Sequence, residues 1–306
     1  MNFDYIGFRR WSFALSGLLI ILSIISLLFS GLNLGVDFAG GTIIQLRLPE
    51  DFDMEEVREV LAPFNLDGAA LQRVGGEAGD EVVIRTVPLT EEERKNVLEA
   101  FAEHWKLKNE DILQADNVGA TVGRELTHQA FWALALATVA MILYITLRFE
   151  FKFAIATIAA LLHDVLIVLG FFSLLQLEVN SPFLVAILVI VGYSVNDTIV
   201  IIDRIRENLK YKKEKEYAGV VNESIGQSIV RCLNTSLTTF FVLVALFVGF
   251  NFFIGGLALR NFVIAMLIGV IVGTYSSIFI ASPLWFSWKQ WEFNRRRSQL
   301  RPARRQ

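Results

Sequence analysis

Asp197 lies inside a run of apolar sequence, about residues 182–203, that is long enough to cross a bilayer. A carboxyl group in such a place is costly to keep and is by default a functional group. Tyr193 lies one turn before it and Val200 and Ile201 one turn after, a mixed face suited to a bundle interior. Desolvation disfavours a charged carboxylate, whereas a nearby guanidinium favours it. An Asp poised between these two effects can take up and release protons, and Arg231, at the start of the next apolar run, is the candidate guanidinium. Asn196 is adjacent to Asp197, and Asp203 follows near the end of the same helix, about 240° round from Asp197 and in line with Asn196. Asp197, Arg231, Asn196 and Asp203 are therefore the candidate proton-conducting residues, with Asp203 also readable as an interface marker. His163-Asp164 falls in the middle of another apolar run. Adjacent helical residues point about 100° apart, so the two are not expected to face one site. Two readings stay open for them, a proton relay or a hydrogen-bonded pair joining helices.

Other chemistries find little support. No G-x-x-x-x-G-K-[ST] phosphate loop is present, so the chain is not expected to hydrolyse ATP. A proton crossing ~150 mV releases ~3.5 kcal/mol, enough to bias a two-state equilibrium by a factor of several hundred. Asp164 and Asp197 could be imagined as an aspartyl protease dyad, but the G-x-G-D motif is absent. No enzymatic activity, cofactor, metal site or nucleic-acid partner is expected. Cys232 is the only cysteine, which leaves no intrachain disulfide, and it is expected to lie silent in a helix.

The elements that must position these groups are membrane helices. Of 306 residues, 54% are hydrophobic and 19% charged, against about a quarter charged in soluble domains. Apolar windows fall roughly at 12–31, 128–147, 153–176, 182–203, 230–252 and 261–286, and a bilayer obliges each to be helical. The first window exceeds a signal-peptide core and no A-x-A cleavage site follows it, so it is expected to be an uncleaved span. Arg9 and Arg10, Arg148 and Lys152, the cluster from Arg204 to Lys215, and the tail from Lys289 to Arg305 all fall on one face, predicting cytoplasmic termini. Trp11, Trp285, Trp288 and Trp291 are expected at the headgroup level. Gly269 and Gly273, with Ala133 and Ala137, are expected to permit close helix contact. The stretch 204–230 has apolar residues at helical spacing and reads as a cytoplasmic amphipathic loop along the membrane surface. Residues 291–306 form a basic cytoplasmic tail.

Residues 32–127 carry 20 Asp/Glu against 9 Lys/Arg and read as a folded domain outside the membrane. Strands are predicted at Thr42–Leu48, Ala69–Val74, Glu81–Val87 and from Ile112, with a turn at Gly75-Gly76. Helices are predicted from Asp53 to Phe64 and, opened by a Thr90–Glu93 capping box, to about Trp105. The order β-α-β-β-α-β predicts a ferredoxin-like α+β domain. The fold class is thus a six-helix membrane bundle: residues 1–31 hold the N-terminus and first helix, 32–127 the external domain, and 128–290 the other five helices.

Several segments resemble the SecF family in order along nearly the whole chain. They are Gly35-Val-Asp-Phe-Ala-Gly-Gly-Thr42, Val118–Leu126, His163-Asp-Val165, Gly192–Asn208 and Arg231-Cys-Leu-Asn-Thr-Ser-Leu-Thr-Thr239. Gly35, Asp37, Gly40 and Gly41 form the signature of the external domain. The resemblance implies half of a resistance-nodulation-division architecture in the bacterial cytoplasmic (inner) membrane, with 32–127 periplasmic. It implies pairing with SecD, association with the SecYEG channel and with YajC and YidC, and action on unfolded exported polypeptide driven by protons. It also places the proton path on Asp197 and Arg231. Departures from the family pattern are Ala120 for Pro, Val168 for Thr and Cys232 for Thr. The competing reading is half of a proton-coupled small-molecule exporter, which fewer than about 100 external residues leave little room to build.

Overall fold

The computed structural model describes residues 3–49, 52–74, 81–210, 217–250 and 257–300. The chain opens with α1 (Arg9–Phe29), a long apolar helix. An α+β unit follows: β1 (Asn33–Leu34), α2 (Val36–Ala39), β2 (Gly41–Arg47), α3 (Met54–Leu61), β3 (Ala70–Val74), β4 (Glu81–Thr86), α4 (Glu91–Trp105) and β5 (Ile112–Val118). Next come α5 (Ala120–Arg148), α6 (Phe151–Leu174), β6 (Glu178–Val179), α7 (Ser181–Leu209), α8 (Tyr217–Gly249) and α9 (Leu257–Ser276). A π-helical segment, Ser277–Ala281, joins α9 to α10 (Ser282–Leu300). Among the described residues, six helical stretches are long and apolar enough to cross a membrane, the last running from Leu259 to Arg295.

The four main strands form an antiparallel sheet in the order β3-β4-β2-β5. Alternation puts Ile44, Leu46, Val82 and Ile84 on one face, where Val57 and Leu61 of α3 and Val97 and Phe101 of α4 cover them. Ile43 and Val83 point the other way and pack with Val36 of α2. The sheet is therefore covered on both faces, which explains why Thr42 to Leu46 are all buried. The backbone enters β2 through Gly40 and Gly41, whose φ angles of 76° and 140° suit glycine alone.

Local signals set the helix starts. Asp53 caps α3 by accepting from the Glu55 amide, and Thr90 with Glu93 closes the capping box of α4. The Thr90 amide, and then its hydroxyl, hold the Glu93 carboxyl below the usual glutamate range. The stabilisation is therefore complete above the unfolded Glu pKa and is lost as pH falls through the lower folded value. Amide exchange in the first turn of α4 is expected to speed up over that acid range. Glu93→Gln should remove the acid step, whereas Thr90→Ala, which keeps the backbone amide, should cost about 1 kcal/mol and only shrink it. An acid step that persists in Glu93→Gln would assign it to another group.

Two sequence expectations change. The stretch 204–230 is not a separate surface helix: α7 continues to Leu209 and α8 already starts at Tyr217, while 211–216 lies outside the described residues. Ile205, Val221 and Ile225 are fully buried between helices, because an apolar stripe finds denser packing there than at an interface. Trp285 is also 1% exposed and stacks on Phe153 with ring centroids 4.4 Å apart, a core position rather than a headgroup anchor. Trp11 and Trp291 remain exposed. Close packing does occur at Gly269, which faces Ile190, and at Gly273, which faces Ser194, whereas Ala133 on α5 is exposed. Gly75-Gly76 and Arg301–Arg305 lie outside the described residues.

Candidate functional site

Asp197 points inward from α7 and is 2% exposed. Its Oδ2 accepts from Ser236 Oγ of α8 at 3.3 Å, and Ser236 Oγ lies 2.6 Å from Thr274 Oγ1 of α9. The Cys232 thiol, one turn before Ser236, is a further partner of the carboxyl. The silent cysteine of the sequence reading thus sits at the carboxylate, and Ser236 and Thr274 are site residues that reading missed. A signal for them existed. Val221, Ile225, Ser228, Cys232 and Ser236 form the buried stripe of α8 at helical spacing, and Arg231 falls about 100° off it.

Arg231 is accordingly exposed, and among the described residues no ion pair joins it to Asp197, although its charge lies near enough to influence the carboxyl. Asn196 and Asp203 share the other face of α7 and are also exposed. The structure therefore brings Asp197 together with hydroxyls and a thiol, while Arg231, Asn196 and Asp203 stand on the outside of this chain. Such an Asp can hold a proton and donate, or lose it and accept from Ser236.

A second polar cluster meets α7 one turn earlier, at Ser194, about 60° round from Asp197. His163 Nδ1 is 2.9 Å from Asp164 Oδ1, so the neighbouring side chains do meet, contrary to the expectation from helical angle. The Cα–Cβ directions diverge, but rotation about χ1 and χ2 brings the imidazole back across the carboxyl. Asp164 Oδ2 also accepts from Ser194 Oγ of α7 at 2.6 Å and Ser276 Oγ of α9 at 2.8 Å. Ser277 and Thr198, 2.8 Å apart, tie the π-helical segment to α7 next to Asp197 in the chain. Among the described residues, no three His, Cys, Asp or Glu side chains come together as a metal-binding group.

The signature Gly35–Gly41 occupies a third place, where the α+β unit meets the bundle. Asp37 Oδ2 accepts from the Ser181 amide at 2.7 Å, at the positive end of α7. Strand β1 pairs in parallel with β6, and Gly35 leaves room for Glu178, whose carboxylate would stand 2.5 Å from any added Cβ. Arg85 of β4 pairs with that same carboxylate. Arg85→Glu is expected to lower stability by about 2 kcal/mol, read as the unfolding midpoint of the full chain in detergent. The double exchange Arg85→Glu/Glu178→Arg should recover most of it. Equal loss in both variants would mean that the pair does not hold the unit.

The family described as "Protein export membrane protein SecD/SecF, C-terminal" matches residues 97–291, and "SecD/SecF GG Motif" matches residues 25–48. The protein translocase subunit SecF of Sebaldella termitidis is 42% identical over 287 residues, 93% of this chain and 91% of that protein. The protein translocase subunit SecDF of Bacillus subtilis is 36% identical over 301 residues, 97% of this chain and 40% of that protein. A crystal structure of SecDF from Thermus thermophilus, described as a translocon-associated membrane protein, aligns with a TM-score of 0.84 and 38% identity. That alignment covers 94% of this chain and 39% of the other. The chain spans about 40% of the length of the SecDF proteins it matches.

Proposed function

The chain belongs to the SecD/SecF family of protein export membrane proteins, and from that premise we propose that it is one half of a proton-driven motor assisting Sec-dependent export. Its other half in this reading is SecD, which several relatives carry fused in one SecDF chain. The assembly works beside the SecYEG channel, with YajC and YidC as further associates, on unfolded polypeptide leaving the cytoplasmic membrane. The chain crosses that membrane six times, keeps both termini in the cytoplasm and holds a ferredoxin-like domain, residues 32–127, in the periplasm.

The observation that carries the reading is Asp197, buried in an apolar span with a hydroxyl partner and, among the described residues, no cation paired to it. A proton arriving there removes a charge from low dielectric and adds a donor beside the accepting oxygen, so the bond from Ser236 loses its charge-assisted strength. Helix α7 then has reason to shift against α8 and α9. Its first residue is bonded to Asp37, about 24 Å along the helix from Asp197, so the shift reaches the α+β unit. Each proton supplies ~3.5 kcal/mol at ~150 mV. The exposed Arg231, Asn196 and Asp203 support the pairing with SecD, because polar groups on a membrane helix seek a protein neighbour. Arg231 in this account approaches Asp197 in another state of the cycle.

Export into vesicles with ATP and the proton gradient varied separately tests the reading. Gradient-dependent stimulation that requires both this chain and SecD supports it. Transport of small molecules by the chain in vesicles lacking the Sec channel would favour the exporter alternative instead.

A further inference from the structure

We propose that His163 and Asp164 form a second proton-binding site, separate from Asp197, whose occupancy decides whether Ser16 of α1 is hydrogen-bonded to Tyr275 of α9. The pair is 4% and 0% exposed and is bonded on every side. Beyond the contacts already described, His163 Nε2 lies 3.0 Å from Ser16 Oγ of α1. Ser16 Oγ lies 3.1 Å from the Tyr275 hydroxyl of α9, and that hydroxyl is 3.0 Å from the Ser12 carbonyl oxygen.

The direction of this chain follows from counting hydrogens. A carbonyl oxygen only accepts, so Tyr275 gives its one hydrogen to Ser12. The contact between Ser16 and Tyr275 then requires the one hydrogen of Ser16. Ser16 has none left for His163, so Nε2 must be the donor. On the other side of the ring, the bond to Asp164 needs a hydrogen on either Nδ1 or the carboxyl oxygen. Both arrangements put two protons on the pair and leave it neutral, the state that a water-free interior favours. A hydrophobic pair would hold the helices at lower desolvation cost, so stability alone does not call for these groups.

Loss of one proton to the aqueous phase leaves Nδ1–H facing a carboxylate and a bare Nε2. That nitrogen takes the hydrogen of Ser16, and two oxygen lone pairs are left facing each other between Ser16 and Tyr275. The Ser16–Tyr275 bond is lost while the bond from Tyr275 to the Ser12 carbonyl stays, so one of the two ties between α1 and α9 opens, and rebinding a proton from water restores it. The groups that bear on the pair are Ser12 and Ser16 from α1, Ser194 from α7, and Tyr275 and Ser276 from α9. Tyr275 is the other titratable member of this network. Asp197, three residues beyond Ser194, bonds to Ser236 of α8 instead.

The test is nitrogen NMR of the histidine rings in the full chain held in lipid nanodiscs. There are three histidines, and His163→Gln identifies the signal. His163 Nε2 is expected to carry a hydrogen at neutral pH and to lose it on raising the pH, in the parent and equally in Asp197→Asn. Tyr275→Phe frees the hydrogen of Ser16 for Nε2, so it should move that loss about one pH unit lower, a tenfold weaker hold on the proton. Ser16→Ala, which removes the acceptor of Nε2–H, should move it the same way. A bare Nε2 at neutral pH, an Nε2–H that never leaves over the pH range in which the chain stays folded, or a transition unmoved in both variants would overturn the proposal. Since Asp197→Asn retains the transition, this result is independent of the export reading.

Discussion

Asp197→Asn is expected to abolish the stimulation of export by a proton gradient while leaving ATP-driven export at its basal level. Asparagine keeps the size of the side chain and its oxygen can still accept from Ser236, so the packing of α7 against α8 and α9 should survive. What it cannot do is change its charge. The expected loss is the whole gradient-dependent increment, because each proton's ~3.5 kcal/mol has no other entry in the Asp197 scheme. Assembly with SecD, measured by co-purification, should be unchanged. Normal stimulation in this variant would reduce the chain to a passive assembly factor.

The largest effect on stability is expected from Gly170→Ala. A Cβ at position 170 of α6 would stand 2.1 Å from Ser23 Oγ and 2.6 Å from Ser23 Cα of α1, so a rotamer change cannot relieve the clash. Helix α1 would have to move away from α6, taking with it the 2.9 Å bond between Ser26 and Ser173 and the bond from Ser16 to His163. Overpacking of this kind costs about 3 kcal/mol. The unfolding midpoint of the full chain in detergent should fall by several degrees, and Ser23→Gly should return part of it. An unchanged midpoint in Gly170→Ala would mean that α1 sits further from α6 than the structure has it.

Much of this arrangement is legible in the sequence, and the exceptions have physical reasons. Apolar windows announce helices because a bilayer permits little else, and Thr90-Glu-Glu-Glu93 announces its helix start through a local bond. The strands around Ile44, Val82 and Ile84 follow from alternation, although the second covered face of the sheet does not, since α2 is too short to leave a periodic pattern. Asp197 is conspicuous because charge is rare in a span. Its partners are not, because Ser236 and Thr274 resemble the many hydroxyls that merely bond their own helix. Arg231 draws attention by charge, yet the buried stripe of α8 runs through Cys232 and Ser236 and leaves Arg231 outside. The meeting of His163 with Asp164 depends on side-chain rotation, which residue spacing does not encode. Trp285 and the 204–230 stretch misled for one reason: amphipathic and aromatic residues suit both an interface and a helix–helix core.

The most direct test of the account is infrared titration of the Asp197 carboxyl in the full chain in lipid. A protonated carboxyl band that disappears as pH rises, and that is missing from Asp197→Asn, is the predicted result. A carboxylate that stays ionised across the whole accessible pH range, with or without SecD bound, would contradict it.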